Sequence, residues 1–286
     1  MRRTTAGWGS GLLGVVIFSG SLPATRLAVA GFAPMFLTAA RAVIAALLGG
    51  ALLWALRQKR PARSDLFALG LVSLGVVVGF PLLTALALRA MTAAQAIVFV
   101  GLLPLSTALF GVLRGGERPR PAFWLFSLIG AAAVAGFALA QGGTAGPIPS
   151  LLMLAAILVC GLGYAEGAAL SRRLGGWQVI SWALVLALPA MAVLALATWP
   201  QEWRGVGPAA WSGLAYVSVF SMLVGFVFWY RGLALGGIAG VGQLQLLQPF
   251  LGLALAALLI GEPVSGTMLA VSALVVLCVA GARRFA

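Results

Sequence analysis

Apolar residues are grouped into long runs along this chain, separated by short polar or basic stretches. Each run is about 20 residues long, which is the length that an α-helix needs to cross the hydrocarbon core of a bilayer. Ten such runs are present, at about residues 7–29, 33–56, 66–87, 91–113, 122–141, 149–170, 177–198, 210–230, 236–260 and 266–282. The pattern predicts an all-α membrane protein with ten transmembrane helices.

One stretch between the fifth and sixth runs has the composition of a linker. Residues 141–150 carry no charge and are rich in Gly and Pro, which are typical of loops. This linker divides the chain into two predicted domains of five helices each, over residues 1–144 and 145–286.

The composition indicates that lipid is the solvent. Hydrophobic residues make up 62% of the 286 residues and charged residues only 8%, whereas soluble domains are about half apolar and a quarter charged. The net charge of +13 does not indicate a nucleic-acid partner, because the basic residues lie between the apolar runs and not on one polar face. The expected surroundings are therefore a lipid bilayer.

The basic residues also predict an orientation. With the N-terminus in the cytoplasm, 18 − 4 = 14 of the 18 Lys and Arg residues fall on the cytoplasmic side, since Arg26, Arg89 and Arg204 fall outside and Arg41 lies within a helix. An excess of basic residues marks the cytoplasmic side of a membrane protein. The excess predicts a multi-pass protein of a bacterial-type inner (plasma) membrane with both termini in the cytoplasm.

The two halves match when the chain is shifted on itself by 145 residues. The shift aligns Pro104 with Pro249 (249 − 104 = 145) and also Glu117 with Glu262. The aligned glutamates are informative because the whole chain has only five acidic residues. Five helices per half is an odd number, so the second half would enter the membrane from the opposite side. An inverted repeat of this kind predicts a transporter that opens a central cavity alternately to each side.

The two prolines are predicted to split or kink the fourth and ninth helices. Proline has no backbone N–H group, so Pro104 and Pro249 would leave the carbonyls four residues earlier without helical partners. Those carbonyls belong to Val100 and Gln245. Backbone that is freed in this way inside a membrane is tolerated only against protein or water. Both kinked helices are therefore predicted to line the cavity, with a simple packing kink as the alternative.

Other candidates for cavity lining are small, polar or aromatic. Helix nine carries Gln245 and Gln248 on one face, while Gln243 points away from it. The candidate substrate-binding residues are Ser19, Ser21, Phe80, Phe99, Pro104, Tyr164, Trp229, Gln245, Gln248 and Pro249. Close helix packing or hydrogen bonding between helices is the alternative role for these side chains.

Two charged residues are assigned to the interior of the membrane, Arg41 and Glu166. A charge at that depth is costly and is a candidate for either a coupling or a structural role. Glu166 is expected to reach the inner interface or to pair with Arg173, and Arg41 is expected to bond carbonyls at a helix end. Glu117 and Glu262 stand at predicted helix starts, where an acid complements the helix dipole.

Several short motifs resemble a known transporter family. Tyr230-Arg-Gly-Leu-Ala-Leu, Pro249-Phe250 and Leu259-Ile-Gly-Glu-Pro263 resemble the end of an EamA-type repeat. Pro104-Leu105 with Gly116-Glu117-Arg118-Pro119 resembles the same element in the first half, and Arg41 resembles an arginine that is common in the second helix of the family. The chain is thus similar to the ten-helix amino-acid and metabolite exporters of the drug/metabolite transporter superfamily.

The resemblance implies export of small metabolites, amino acids above all, without a cofactor. The two halves differ from each other, because Ala85 stands where the second half has Tyr230 and residues 183–188 offer no counterpart to Arg41. The side of the cavity formed by one half should therefore differ in chemistry from the side formed by the other half. A channel or facilitator and a membrane-embedded lipid-modifying enzyme are the alternatives. The sequence shows no catalytic set, metal cluster or Walker A motif, so we expect neither an enzyme nor a metal site, and the oligomeric state stays open.

Overall fold

The computed structural model describes residues 2–115, 120–145, 147–236 and 241–285, which are helical with no strand. The α-helices before the linker are α1 (Arg2–Ser19), α2 (Ser21–Ala28), α3 (Pro34–Ala55), α4 (Leu66–Val72), α5 (Phe80–Ala87), α6 (Ala93–Val100), α7 (Leu103–Gly115) and α8 (Pro121–Ala145). Those after it are α9 (Ile148–Leu174), α10 (Gly176–Ala197), α11 (Pro208–Ala215), α12 (Gly225–Gly236), α13 (Gln248–Ile260) and α14 (Gly266–Arg283).

Seven helical stretches in this part of the chain are long and apolar enough to cross a membrane. They are Ala6–Ala28, Pro34–Ala55, Arg63–Ala87, Ala93–Leu113, Ile148–Leu174, Gly176–Ala197 and Pro208–Leu233. Three shorter apolar helices cover Pro121–Val134, Leu244–Ile260 and Gly266–Gly281. Many large apolar side chains on these helices are exposed, as expected for a surface that faces lipid, among them Leu47, Leu128, Val193, Leu258 and Leu277.

Two of the long stretches change to a π-helix part-way. The first π segment is Ser73–Gly79, between α4 and α5, and the second is Tyr216–Val224, between α11 and α12. Shifting the first by 145 residues gives 73 + 145 = 218 to 79 + 145 = 224, which lies inside the second. A π-helix is rare and is found mostly as a single turn at functional sites. Its presence at matching places makes the two halves alike in backbone as well as in sequence.

Other elements match under the same shift. Helix α7 shifted by 145 residues covers 103 + 145 = 248 to 115 + 145 = 260, which are the bounds of α13. Helix α8 begins at Pro121 and α14 begins at Gly266, again 145 residues apart (266 − 121 = 145).

The helices of one half pack mainly against those of the other. Helix α1 packs along α12, and α9, which matches α1 under the shift, packs along α5, which matches α12. Helix α3 packs along its counterpart α10, and α8 packs along its counterpart α14. The core therefore lies on the seam between the halves, and exchanging the halves leaves the pattern of helix neighbours nearly unchanged.

Candidate functional site

The two helices that contain the intramembrane prolines are interrupted, as predicted. Helix α6 ends at Val100, and α7 begins at Leu103, one residue before Pro104. A 3-10 helix, Gly242–Leu247, precedes Pro249 at the start of α13. The two interruptions adjoin, since a Cβ atom on Gly101 would lie 3.6 Å from Cγ of Pro249. The candidates Pro104 and Pro249 therefore lie on neighbouring segments in the core.

One prediction about these breaks is wrong. The carbonyl of Gln245 was expected to lack a helical partner, but it accepts the N–H group of Gln248. The 3-10 geometry moves the acceptor one residue closer in sequence, so the carbonyl is satisfied despite the missing donor of Pro249. The available polar groups of this segment are therefore the side chains of Gln245 and Gln248, and not a free backbone carbonyl.

Both glutamine side chains have a buried atom with no hydrogen-bond partner in the part of the chain that the structure describes. These atoms are Nε2 of Gln245, which is 3% exposed, and Oε1 of Gln248. The indole Nε1 of Trp229 and the hydroxyl of Tyr230 are also buried and have no hydrogen-bond partner among the described residues. An unsatisfied buried polar group costs about 1–3 kcal/mol, so each calls for a water or ligand partner. The side chain of Gln243 lies outside the described residues.

The four aromatic candidates are only partly brought together. Tyr164 and Trp229 lie together, with ring centroids 6.2 Å apart. Phe99 contacts Phe137 of α8 instead, at 6.4 Å. Phe80, the first residue of α5, is half-buried and packs against the core. The structure thus brings Tyr164 and Trp229 to one place and does not join Phe80 or Phe99 to them.

Phe18 and Phe226 join this pair, and we refer to the four rings of Phe18, Tyr164, Phe226 and Trp229 as the aromatic wall. Phe18 lies 4.9 Å from Phe226 and 6.4 Å from Trp229, and Phe226 lies 5.9 Å from Tyr164, all measured between ring centroids. Sequence reasoning left Phe18 out. Its position immediately before the predicted residue Ser19 was the available signal. The periodicity of apolar residues, however, does not show which helices pack against α1.

The two serines of the first helix have different roles. Ser19 donates to the carbonyl of Val15 in its own helix, at 2.7 Å, so its hydroxyl is satisfied locally. Ser21 bonds the hydroxyl of Ser221 at 2.7 Å, across the seam. Ser221 is a residue of the second π segment and was not predicted as a site residue.

Arg41 does not bond carbonyls at a helix end, contrary to expectation. Its Nη2 donates to Oγ of Ser221 at 3.3 Å, and the side chain is 4% exposed. The hydroxyl lies 180 residues further along the chain, so no local rule could have named it. Arg41, Ser221 and Ser21 form a buried polar cluster, which we refer to as the Arg41 cluster.

Glu166 lies in α9 and is buried. Arg173, its predicted ion-pair partner, instead bonds Asp65 through Nη2 at 2.7 Å. Asp65 belongs to the turn before α4, which packs against α9. The carboxylate is 4% exposed although the arginine is largely exposed.

Glu262 acts as a helix cap, but on another helix than the one predicted. Its two carboxylate oxygens accept the N–H groups of Ala93 and Ala94, at 3.0 and 2.8 Å, at the start of α6. Arg26 lies 3.8 Å from the same carboxylate and also donates to the carbonyl of Leu88. The corresponding expectation for Glu117 lies outside the described residues.

These two ion pairs lie at opposite ends of the bundle. Asp65 stands at the beginning of the apolar stretch Arg63–Ala87, and Leu88, which Arg26 contacts, follows its end. Each pair joins the first half to the second, Asp65 to Arg173 at one end and Arg26 to Glu262 at the other. In the described residues, no group of three or more His, Cys, Asp or Glu side chains is placed to hold a metal ion.

Comparison with known proteins decides the family. Residues 6–139 and again residues 148–283 match the EamA-like transporter family, so both halves carry the repeat. The chain belongs to the EamA-like transporter family. The predicted resemblance is confirmed, and this EamA-like protein is a multi-pass membrane transporter of a small molecule, not an enzyme.

Known relatives agree with this assignment. The EamA-like chain is 64% identical over 286 residues to the "Uncharacterized transporter YdeK" of Bacillus subtilis (strain 168), with all of both chains covered. A crystal structure of another protein has a similar fold, with a TM-score of 0.67 over 99% of this chain and 100% of the other, at 23% identity. That likeness concerns the fold alone.

Proposed function

We propose that the protein exports small metabolites, chiefly amino acids, from the cytoplasm by alternating access. In this proposal the seven long and three shorter apolar helices make ten transmembrane helices (7 + 3 = 10). They form two inverted halves, residues 1–144 and 145–286, in a bacterial-type inner membrane with both termini in the cytoplasm. The substrate cavity lies on the seam, near the broken helices and the aromatic wall.

The reciprocal packing of helices between the two halves is the observation that supports this proposal most directly. Helix α1 meets α12 as α9 meets α5, and each half contributes one π segment to the seam. Two similar units that pack in this reciprocal way can exchange their conformations, which opens a shared cavity first to one side and then to the other. A fixed pore does not require such reciprocity.

The two ion pairs supply a physical basis for closing each end. Because each pair joins one half to the other, separating the halves at one end breaks only the pair at that end. Glu262 also caps α6, so opening at its end exposes two N–H groups as well as a carboxylate. Exposed ion pairs contribute about 0–1 kcal/mol, and for a pair with a buried member the cost of desolvation offsets much of the attraction between the charges. Both closures are therefore reversible at moderate cost.

Counterflow in proteoliposomes tests the transport mechanism. Vesicles that contain the purified protein are loaded with a mixture of unlabelled amino acids, and uptake of trace radiolabelled amino acids is followed one at a time. We expect saturable uptake that overshoots equilibrium for at least one amino acid and requires the internal load. Flux that does not saturate would indicate a channel, and absence of flux for every amino acid would reject the substrate proposal.

Reversible cross-linking tests the two closures. Cysteine replaces Asp65 and Arg173 in one variant, and Arg26 and Glu262 in another, with Cys160 and Cys278 changed to serine in both. A bifunctional methanethiosulfonate reagent that spans the two side chains should stop counterflow in either variant, and a reductant should restore it. Single-cysteine variants treated in the same way serve as controls. Full flux in both cross-linked variants would contradict alternating access.

A further inference from the structure

Arg41 is a buried cation in the interior of an apolar helix. It is the eighth residue of α3, so it lies about 10 Å from the helix start at 1.5 Å per residue. The side chain is 4% exposed and points to Ser221 in the bundle, not to an interface. A charged group inside a membrane costs about 2.5–3.5 kcal/mol on insertion scales, unless it is compensated.

The compensation that the protein itself gives is small. A guanidinium has five N–H donors, yet the hydrogen bond found for Arg41 is a single one of 3.3 Å to a neutral hydroxyl. Its Nε is buried and has no partner within the described ranges. The two ion pairs found between described side chains, Arg26 with Glu262 and Arg173 with Asp65, do not involve Arg41.

The surroundings of Arg41 are built to receive an anion. Ser21 and Ser221 place two hydroxyl groups 2.7 Å apart next to the guanidinium. Thr38, one turn before Arg41 on α3, has a buried hydroxyl with no partner in the described part of the chain. One hydroxyl of the Ser21–Ser221 pair donates to the other, which leaves the second serine and Thr38 with a proton to donate to an anion. An arginine edge matches the two oxygens of a carboxylate.

We propose that the Arg41 cluster binds the carboxylate of the transported substrate. The inference rests on the proposed function and deepens it, because it assigns the part of the substrate that is recognised. The cluster joins α2 and α3 of the first half to the π segment Tyr216–Val224 of the second, so movement of the halves changes the distance between its donors. The matching position in the second half is Leu186 (41 + 145 = 186), so the repeat does not reproduce this arginine there.

Ligand-induced thermal stabilisation tests the site without transport. The full-length protein in detergent is heated with single amino acids, with acetate or with succinate, and with chloride at matched ionic strength. We expect at least one carboxylate to raise the melting temperature of the wild type where chloride does not. Arg41→Gln should weaken this binding by at least about tenfold, which corresponds to losing a hydrogen bond to a charged group, and Arg41→Lys should weaken it less.

Two milder variants keep the test decisive if Arg41→Gln does not fold. Ser221→Ala retains the guanidinium and should weaken carboxylate binding several-fold. Ser218→Ala is the matched control on the same segment, because the hydroxyl of Ser218 donates to the carbonyl of Leu214, one turn earlier in the same helical stretch. This variant should bind as the wild type does. Equal binding by all variants, equal stabilisation by chloride, or no stabilisation by any carboxylate would overturn the assignment.

Counterflow with neutral analogues separates this inference from the function it rests on. Amino-acid amides lack the carboxylate, and we expect them to compete at least about tenfold less well than the parent amino acids in the wild type. Equal competition by acids and amides would refute the carboxylate site while the exporter stands. Carboxylate binding that depends on Arg41 without any amino-acid flux would reject amino acids as the substrates while the site stands.

Discussion

The two π segments occupy the same place in the two halves but have different chemistry. In the first, Val76 packs against Gly163 of α9, and a Cβ on that glycine would lie 2.8 Å from the valine side chain. In the second, the matching residue is Ser221 (76 + 145 = 221), which bonds Ser21 and Arg41. The backbone distortion is shared, whereas one segment gives a tight apolar contact and the other gives a polar cluster.

This difference indicates how two matching halves can present different chemistry at their seam. Both π segments bring a helix close to the first helix of the opposite half. In the first half glycines make that approach possible, and in the second half the approach brings hydroxyl groups to a buried cation. The chemical difference between the halves at Arg41 therefore has a structural counterpart in the second π segment.

The largest expected effect comes from giving the second segment the residue of the first. Ser221→Val removes the hydroxyl that Arg41 contacts and leaves the guanidinium without its partner. We expect a loss of about 1.5–3 kcal/mol, the range for a hydrogen bond to a charged group. Thermal unfolding followed by tryptophan fluorescence measures it. Ser221→Thr has the same branched shape and keeps the hydroxyl, so an equal loss in both variants would contradict the role of the hydroxyl.

The apolar contact of the first segment can be broken with one methyl group. A Cβ on Gly75 would lie 2.5 Å from the carbonyl oxygen of Val159 and 3.0 Å from Cα of Gly163, both of them backbone atoms. Gly75→Ala should therefore lower stability by about 1–3 kcal/mol, as overpacking does. Gly70→Ala is the control in the preceding helix, where a Cβ meets nothing within 4 Å. Equal melting temperatures for the two variants would show that close approach is not required.

A smaller effect is expected where the second segment meets the break between α1 and α2. The hydroxyl of Tyr216 donates to the carbonyl of Ile17 at 2.8 Å, next to Gly20. Tyr216→Phe should cost about 0.6 kcal/mol, the average for a hydrogen bond between membrane helices. Ser212→Ala removes an exposed hydroxyl that bonds the nearby Ala209 carbonyl, and we expect no measurable change in its melting temperature. A similar shift in both variants would argue against a specific role for Tyr216.

The fold was largely predictable because its signals are local. Runs of apolar residues set the helices, and proline set the interruptions near Pro104 and Pro249. The π segments were not predictable, since 216–224 contains neither Gly nor Pro and reads as an ordinary apolar helix. A matching serine, Ser73 and Ser218, was the available hint, but serine is common in membrane helices.

The partners of the charged residues were mostly mispredicted for a single physical reason. Arg41, Arg173 and Glu262 each contact a residue more than 100 positions away in the chain. Spacing along a helix shows which face a side chain occupies and does not show which helix lies opposite. The kind of interaction was right for Glu262, which caps a helix, but the helix that it caps lies in the other half.

Opposite insertion of the two halves is the claim on which the account rests, and site-directed labelling tests it most directly. Arg60 and Gly205 are exposed loop residues at matching positions (205 − 60 = 145). Each is changed to cysteine in a protein whose Cys160 and Cys278 are serine, and intact cells are treated with a membrane-impermeant maleimide. The account predicts that Gly205→Cys is labelled in intact cells and that Arg60→Cys is labelled only after permeabilisation. Labelling of both positions from the same side would contradict the inverted repeat.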